Sequence, residues 1–168
     1  MNTSWKNIIR RQWQHYKKMK ILTNTAIRKI KDKLDLLEKY HAELVEDLPS
    51  EEIFMTQRVP RRALEKTVEI IADTIVDTAM IIISAKGYDK PTEQAEAITV
   101  LEKNKILSPL AKKMKDLVRF RNLLVHQYAK IDEKREYESI SEDHQDVVDF
   151  IKEIDAFLRK EEEMVKKK

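Results

Sequence analysis

The scarcity of chain-breaking residues is the feature that most constrains this sequence. Its 168 residues include one glycine, Gly87, and four prolines, so few positions favour a tight turn. Long helices joined by short connections suit such a chain, whereas a sheet of short strands needs turn residues at frequent intervals. The sequence therefore predicts an all-α fold, and its length and its apolar content of 42% suit one domain with a single core.

Apolar residues recur at spacings of three and four along most of the chain, which predicts amphipathic helices. The predicted helices cover about residues 23–48, 60–87, 92–103, 109–128 and from 141 onwards. The helix that ends at Gly87 is apolar on most sides, so we expect it at the centre of the bundle or in a dimer interface. The polar stretch 131–140 is predicted to be a connection. The pattern favours an antiparallel bundle of four to five helices.

Charge divides the chain into three parts. Residues 1–20 carry six Lys or Arg and no acid, and we interpret them as a basic arm or an extra helix. Residues 21–162 are predicted to form the helical bundle, and residues 163–168 a frayed basic tail. The arm is suited to binding phosphates; the alternative is a solvated extension.

Several classes of protein are excluded or disfavoured by composition. The chain has no cysteine, which excludes a disulfide framework, thiol catalysis and zinc sites built on cysteine. It has no apolar stretch long enough to span a membrane, so we expect a cytoplasmic protein. Lys86-Gly87 lacks the glycine spacing of a phosphate-binding loop, and neither a cofactor nor a metal is predicted.

The most informative anomaly lies in the helix after Pro109. Its inward stripe steps by four, three, four, three and four residues through Leu110, Met114, Leu117, Arg121, Leu124 and Tyr128. An arginine in a leucine stripe costs free energy unless it is paired or hydrogen-bonded. Arg121 therefore either extends to the rim of the bundle or is held in a cleft for a purpose.

His126 follows five residues after Arg121, about 140° further round an ideal helix. These groups converge on one target only if the helix bends near His126 or if two copies face each other. Imidazole transfers protons near neutral pH, and a guanidinium binds a phosphate that gains charge in the transition state. Because RNA supplies its own 2′-hydroxyl nucleophile, these groups suffice for cleavage without a metal.

The run RNLLVHQY at residues 121–128 resembles the R-x4-H-x-Y motif of HepT toxins, which belong to the HEPN superfamily. The surroundings are similar as well: residues 62–73 look like the family's second helix, 87–91 like its turn and 101–109 like its short connector. The resemblance covers roughly residues 22–160, all but the basic arm.

The resemblance implies a HEPN-like homodimer that acts as a metal-independent endoribonuclease toxin, with RNA bound in a cleft between subunits. Arg121 and His126 match the catalytic pair, and Asn122 matches the polar residue after the arginine. Tyr128 matches the tyrosine that a partner nucleotidyltransferase of the MNT type adenylylates to silence the toxin. The alternative is a non-catalytic binding partner of a nucleotidyltransferase, in which the motif serves dimer structure.

Four further residues have a structural and a functional interpretation. Asp73 and Asp77 lie within the long central helix; we favour solvent exposure for both, and the alternative is that one orients a basic group of the site. His41 is interpreted as a core or rim residue and not as a metal ligand, and His144 as a surface residue.

Overall fold

The computed structural model describes residues 5–7, 9–10, 20–126 and 132–167. Residues 5–7 and 9–10 are helical, and seven further helices follow between residues 20 and 167. They are α1 (Asn24–Asp47), α2 (Glu51–Thr56), α3 (Arg58–Lys86), α4 (Gln94–Lys103), α5 (Ala111–His126), α6 (Glu133–Asp143) and α7 (Gln145–Lys166). No strand occurs in these residues, so the all-α prediction is confirmed.

Helix α3 is the centre of the bundle and contacts α1, α2, α4 and α5. Helix α1 also packs against α7, and α5 against α4 and α7. The stripe of α3 is buried along almost its whole length, because neighbouring helices cover several of its sides. The prediction of a central helix is thereby confirmed.

Local signals set the ends of the helices. The Thr23 side chain accepts a hydrogen bond from the backbone N–H of Ala26 and caps α1. Gly87 ends α3 with a φ of 68°, a left-handed conformation that costs glycine little. Both boundaries agree with the spacing of apolar residues in the sequence.

Helix α6 corrects the prediction that residues 131–140 form a connection. Its first turn is capped by Asp132, whose carboxylate accepts hydrogen bonds from the N–H groups of Lys134 and Arg135. It buries Glu136 and Ile140, and the Tyr137 hydroxyl donates to the carbonyl of Pro49. A mostly polar helix with so few inward residues has no clear periodic pattern.

A buried ion pair closes the end of the bundle where α1 begins. Lys86 Nζ lies 2.8 Å from Glu161 Oε1, and these side chains are only 5% and 3% exposed. The second oxygen of Glu161 accepts the backbone N–H of Leu22 at 2.8 Å. One carboxylate thus joins the start of α1, the end of α3 and the end of α7.

No helix within the described ranges combines the length and the hydropathy needed to cross a bilayer. The division into arm, bundle and tail stays a prediction, because most of the arm lies outside the described residues.

Candidate active site

Arg121 lies on the inner side of α5, beside the buried residues Met114, Val118 and Leu124. Its side chain is 16% exposed, so the guanidinium is largely withdrawn from water without being fully enclosed. A charge at this depth needs partners, because desolvation without hydrogen bonds would cost several kcal/mol, of the order of 2–7 for a polar group alone.

Asp73 on α3 is the principal partner of Arg121. Nη2 of Arg121 donates to Asp73 Oδ2 at 3.1 Å, and Nε lies 3.0 Å from Oδ1. The Nε contact is an ion pair only, since the buried Nε has no hydrogen bond within the described part of the chain. Nη1 donates to Asn122 Oδ1 at 3.2 Å, and Glu69 lies 4.0 Å from Nη2.

The Asp73 side chain is 40% exposed, as the favoured prediction had it, but it also pairs with Arg121. Asp73 orients the basic group of the candidate site, as the alternative interpretation had it. Asp77, one turn further along α3, is exposed and forms an ion pair with Lys33 at 2.7 Å. Two acids that look alike in the sequence thus have different partners.

His126 is the last residue of α5 and is exposed. Helix α5 is continuous from Ala111 to His126, so His126 points about 140° away from Arg121. The bend that would bring the two side chains together within one chain is not found in α5. Tyr128, the predicted site of adenylylation, lies outside the described residues.

A pair of carboxyl groups links α3 to α6. The buried Glu136 lies close to Glu65, and Arg61 forms ion pairs with both Glu65 and Glu133. Burial, followed by the charge of Glu65, raises the pKa of Glu136 from its ordinary value of 4.5 to about 7. Sequence analysis did not identify this pair, because its members are 71 residues apart.

A histidine pair is a second arrangement that sequence analysis missed. His41 Nε2 on α1 lies 3.1 Å from Nδ1 of His144, the residue between α6 and α7. Both rings are half-buried, which agrees with the core or rim interpretation of His41 and corrects the surface interpretation of His144. Burial, and then the neighbouring His144, lower the pKa of His41. Within the ranges that the structure describes, no three His, Asp or Glu side chains are grouped to hold a metal.

A cavity of about 420 Å³ opens between α3, α5, α6 and α7, with a largely apolar lining that includes Val68, Leu117 and Phe120. Neither Arg121 nor His126 lines it.

Comparison with known proteins identifies the family. The profile of the family described as "HepT-like: Ribonuclease HepT-like" matches residues 23–154, which is most of the chain. This chain belongs to the HepT-like ribonuclease family. The resemblance inferred from the motif at residues 121–128 is thereby confirmed.

Solved structures share the fold of this HepT-like chain. A chain of the tri-AMPylated HEPN toxin of Shewanella oneidensis in complex with MNT antitoxin superposes with a TM-score of 0.71 and 19% identity, covering 76% of this chain and 96% of that one. The Bacillus subtilis protein YutE is described as a cytosolic protein of unknown function. It superposes with a TM-score of 0.69 and 22% identity, covering 85% of this chain and 95% of that one.

A structure of the toxin–antitoxin MntA-HpeT that carries a tyrosine-to-alanine mutation gives a TM-score of 0.70 at 18% identity, covering 76% of this chain and 98% of that one. Among curated protein sequences, none matches this chain. At these identities the structures establish the helical-bundle fold of the HepT-like chain. The roles of Arg121, Asn122, His126 and Tyr128 stay predictions.

Proposed function

We propose that this chain is a metal-independent endoribonuclease and the toxin of a HEPN/MNT toxin–antitoxin system. The observation that supports this most is the environment of Arg121. A guanidinium held on one side by Asp73 and Asn122, and still partly exposed, is pre-oriented for an anionic ligand. The exposed imidazole of His126 is on the same helix.

In the proposed reaction the 2′-hydroxyl of a ribose attacks the adjacent phosphorus. The bond between O2′ and phosphorus forms while the bond between phosphorus and O5′ breaks. A neutral His126 accepts the proton of the 2′-hydroxyl, and a protonated His126 donates a proton to the departing O5′. Arg121 stabilises the charge that accumulates on the phosphoryl oxygens. The products are a 2′,3′-cyclic phosphate and a 5′-hydroxyl.

Two subunits are needed in this proposal for a geometric reason. One His126 cannot be both base and acid in the same step, and it points away from Arg121 of its own chain. A twofold axis beside the ends of two α5 helices would supply two imidazoles and two guanidinium groups to one cleft. We therefore infer a homodimer with the cleft at its interface.

Control of the toxin is assigned to a nucleotidyltransferase partner. Transfer of AMP from ATP to the Tyr128 hydroxyl would form a phosphodiester and release pyrophosphate. Tyr128 is two residues beyond His126, so the added AMP would place negative charge and bulk beside the cleft. RNA phosphates would then be repelled and sterically excluded.

Incubation of the purified protein with cellular RNA in EDTA tests the proposal. We expect fragments that end in 2′,3′-cyclic phosphate. His126→Ala should slow cleavage by roughly 10²–10⁴-fold, the usual contribution of general acid–base catalysis. Because His126 is exposed, the circular dichroism spectrum and melting temperature of the variant should match those of the wild type.

His144→Ala is the matched control, since it removes an imidazole that does not belong to the motif. It should cut RNA at the wild-type rate. If His126→Ala is as active as the wild type, the catalytic assignment is wrong, and if EDTA abolishes cleavage, the metal-independent mechanism is wrong.

The alternative function, a non-catalytic partner of a nucleotidyltransferase, is favoured by one observation. The contact between Arg121 and Asp73 joins α5 to α3 within a chain, as a purely structural ion pair would. Arg121→Lys separates the two functions, because lysine keeps the charge but lacks the planar fork. It should fold and lose RNA cleavage if the protein is a nuclease; in the alternative, the wild type itself does not cleave RNA.

A further inference from the structure

One face of α5 carries basic and polar side chains along its whole length. Lys112, Lys115, Arg119, Asn122 and His126 are spaced by three, four, three and four residues, so they share one side of the helix. We call these five residues the outer face of α5. It spans about 21 Å, from the 1.5 Å rise per residue, and ends at the proposed catalytic histidine.

The charge of this region differs from that of the following helices. Residues 103–126 contain seven Lys or Arg and one acid, Asp116, whereas residues 132–167 contain seven Lys or Arg and thirteen acids. A polyanion would be attracted to α5 and repelled by α6 and α7. The stretch that contains α5 and ends at His126 is therefore much more basic than the helices that follow it.

The basic side chains of the outer face remain accessible. Lys112 is exposed, and the Arg119 side chain is 66% exposed although it forms an ion pair with Asp116 at 3.0 Å. Lys115 is more shielded, at 22% exposure, and contacts Glu102 on α4 at 2.9 Å. Exposed pairs of this kind contribute at most about 1 kcal/mol, so a phosphate can compete for the cation.

We propose that the outer face of α5 binds the sugar–phosphate backbone of single-stranded RNA and leads it to His126. Lys112 and Arg119 are the principal phosphate contacts, and Lys115 supports them. The substrate would thus be an extended strand held over several nucleotides on one side of the cleavage point. This inference rests on the proposed function, because it assumes that the RNA reaches His126.

Binding of a fluorescent single-stranded oligonucleotide, measured by anisotropy over a range of salt concentrations, tests the inference. A fully 2′-O-methylated strand has no free 2′-hydroxyl, so the wild-type protein cannot cut it during the titration. Each lost phosphate contact lowers the slope of log K against log salt by about 0.7 for a single strand. Lys112→Gln/Arg119→Gln should therefore lower the slope by about 1.4 and weaken binding roughly 25-fold at 0.1 M salt.

Arg159→Gln/Lys160→Gln on α7 is the matched control. It also removes one arginine and one lysine from exposed positions. Arg159, like Arg119, is paired with an acid on its own helix. This control should change the slope by much less than the α5 variant. Equal losses in both variants, an unchanged slope in the α5 variant, or no binding by the wild type would each overturn the inference.

The outcomes separate this inference from the proposed function. If the oligonucleotide binds through α5 but unmodified RNA is not cleaved, the nuclease proposal fails, and the proposal that the outer face of α5 binds RNA is supported. If RNA is cleaved while the α5 variant binds the oligonucleotide as tightly as the wild type, only the proposal that the outer face of α5 binds RNA is refuted. If the α5 variant loses affinity for a nucleotidyltransferase and not for the oligonucleotide, the face binds protein and the inference is wrong.

Discussion

The ion pairs of Lys86 and of Arg121 each place a cation among apolar helix residues, and their surroundings differ. Lys86 is 5% exposed, contacts Glu161 at 2.8 Å, and shares that carboxylate with the N–H of Leu22. Arg121 is 16% exposed, and its partner Asp73 is 40% exposed. The first pair is closed to solvent on every side, whereas the second is open on one side.

The difference indicates which pair serves the fold and which serves a site. Both oxygens of Glu161 have partners, so a ligand could reach Lys86 only by breaking the bundle. Arg121 keeps part of its guanidinium exposed, and solvent reaches its partner Asp73. A cation that is oriented and still partly exposed is available to an anion.

Glu161→Leu should give the largest effect, and on stability alone. It leaves the charge of Lys86 buried without a partner and the N–H of Leu22 without an acceptor. We expect a loss of about 3–5 kcal/mol in the free energy of unfolding, measured by urea denaturation. Lys86→Met/Glu161→Leu should recover most of this loss. If Glu161→Leu alone lowers the free energy of unfolding by less than about 1 kcal/mol, the ion pair is not shielded from solvent, contrary to this account.

Asp73→Asn should act mainly on activity. The amide keeps the size of the side chain but loses the charge that orients Arg121, so kcat for RNA cleavage should fall by about tenfold to a hundredfold. Asp77→Asn is the control, because Asp77 contacts Lys33 instead of Arg121. Asp77→Asn should melt close to the wild type, and Asp73→Asn should lose only about 1 kcal/mol, because the amide oxygen can still accept a hydrogen bond from Arg121. Equal kcat values in the two variants would show that Asp73 does not position Arg121.

Glu136→Gln should give the smallest effect, which depends on pH. The pKa of Glu136 is raised from 4.5 to about 7 in the folded state, so the folded protein keeps a proton that the unfolded chain releases in that interval. Stability of the wild type should therefore decrease as pH rises from about 4.5 to 7. Glutamine resembles the protonated acid, so the variant should match the wild type at pH 5 and melt at a higher temperature at pH 8. Thermal scans at these two pH values decide the matter, and a variant less stable than the wild type at pH 8 would refute the buried acid pair.

The fold could be predicted wherever a helix has a long apolar stripe. Helices α1, α3 and α7 each bury a regular set of residues, and their spacing is visible without any knowledge of neighbours. Helix α6 was missed because it buries only Glu136 and Ile140, and one of its anchors is the contact between Tyr137 and Pro49, far away in the sequence.

The candidate site could be predicted only in part, for a similar reason. Arg121 stands out because it interrupts an apolar stripe, and this signal is local. Asp73 carries no local signal, since an acid on an amphipathic helix usually faces solvent, and its contact spans 48 residues. The pairing of His41 with His144 spans 103 residues and was missed for the same reason.

The central claim is that two copies of His126 act together in one cleft, because α5 directs His126 away from Arg121 of its own chain. Mixing wild-type and His126→Ala subunits in equal amounts, after full exchange, tests it through the rate of RNA cleavage. If each cleft needs both imidazoles, only wild-type homodimers are active, and the rate should be about one quarter of that of the same amount of wild-type protein. A rate of about three quarters would mean that one histidine suffices in the shared cleft, and a rate of about one half would mean that each subunit cuts independently; either result would contradict the account.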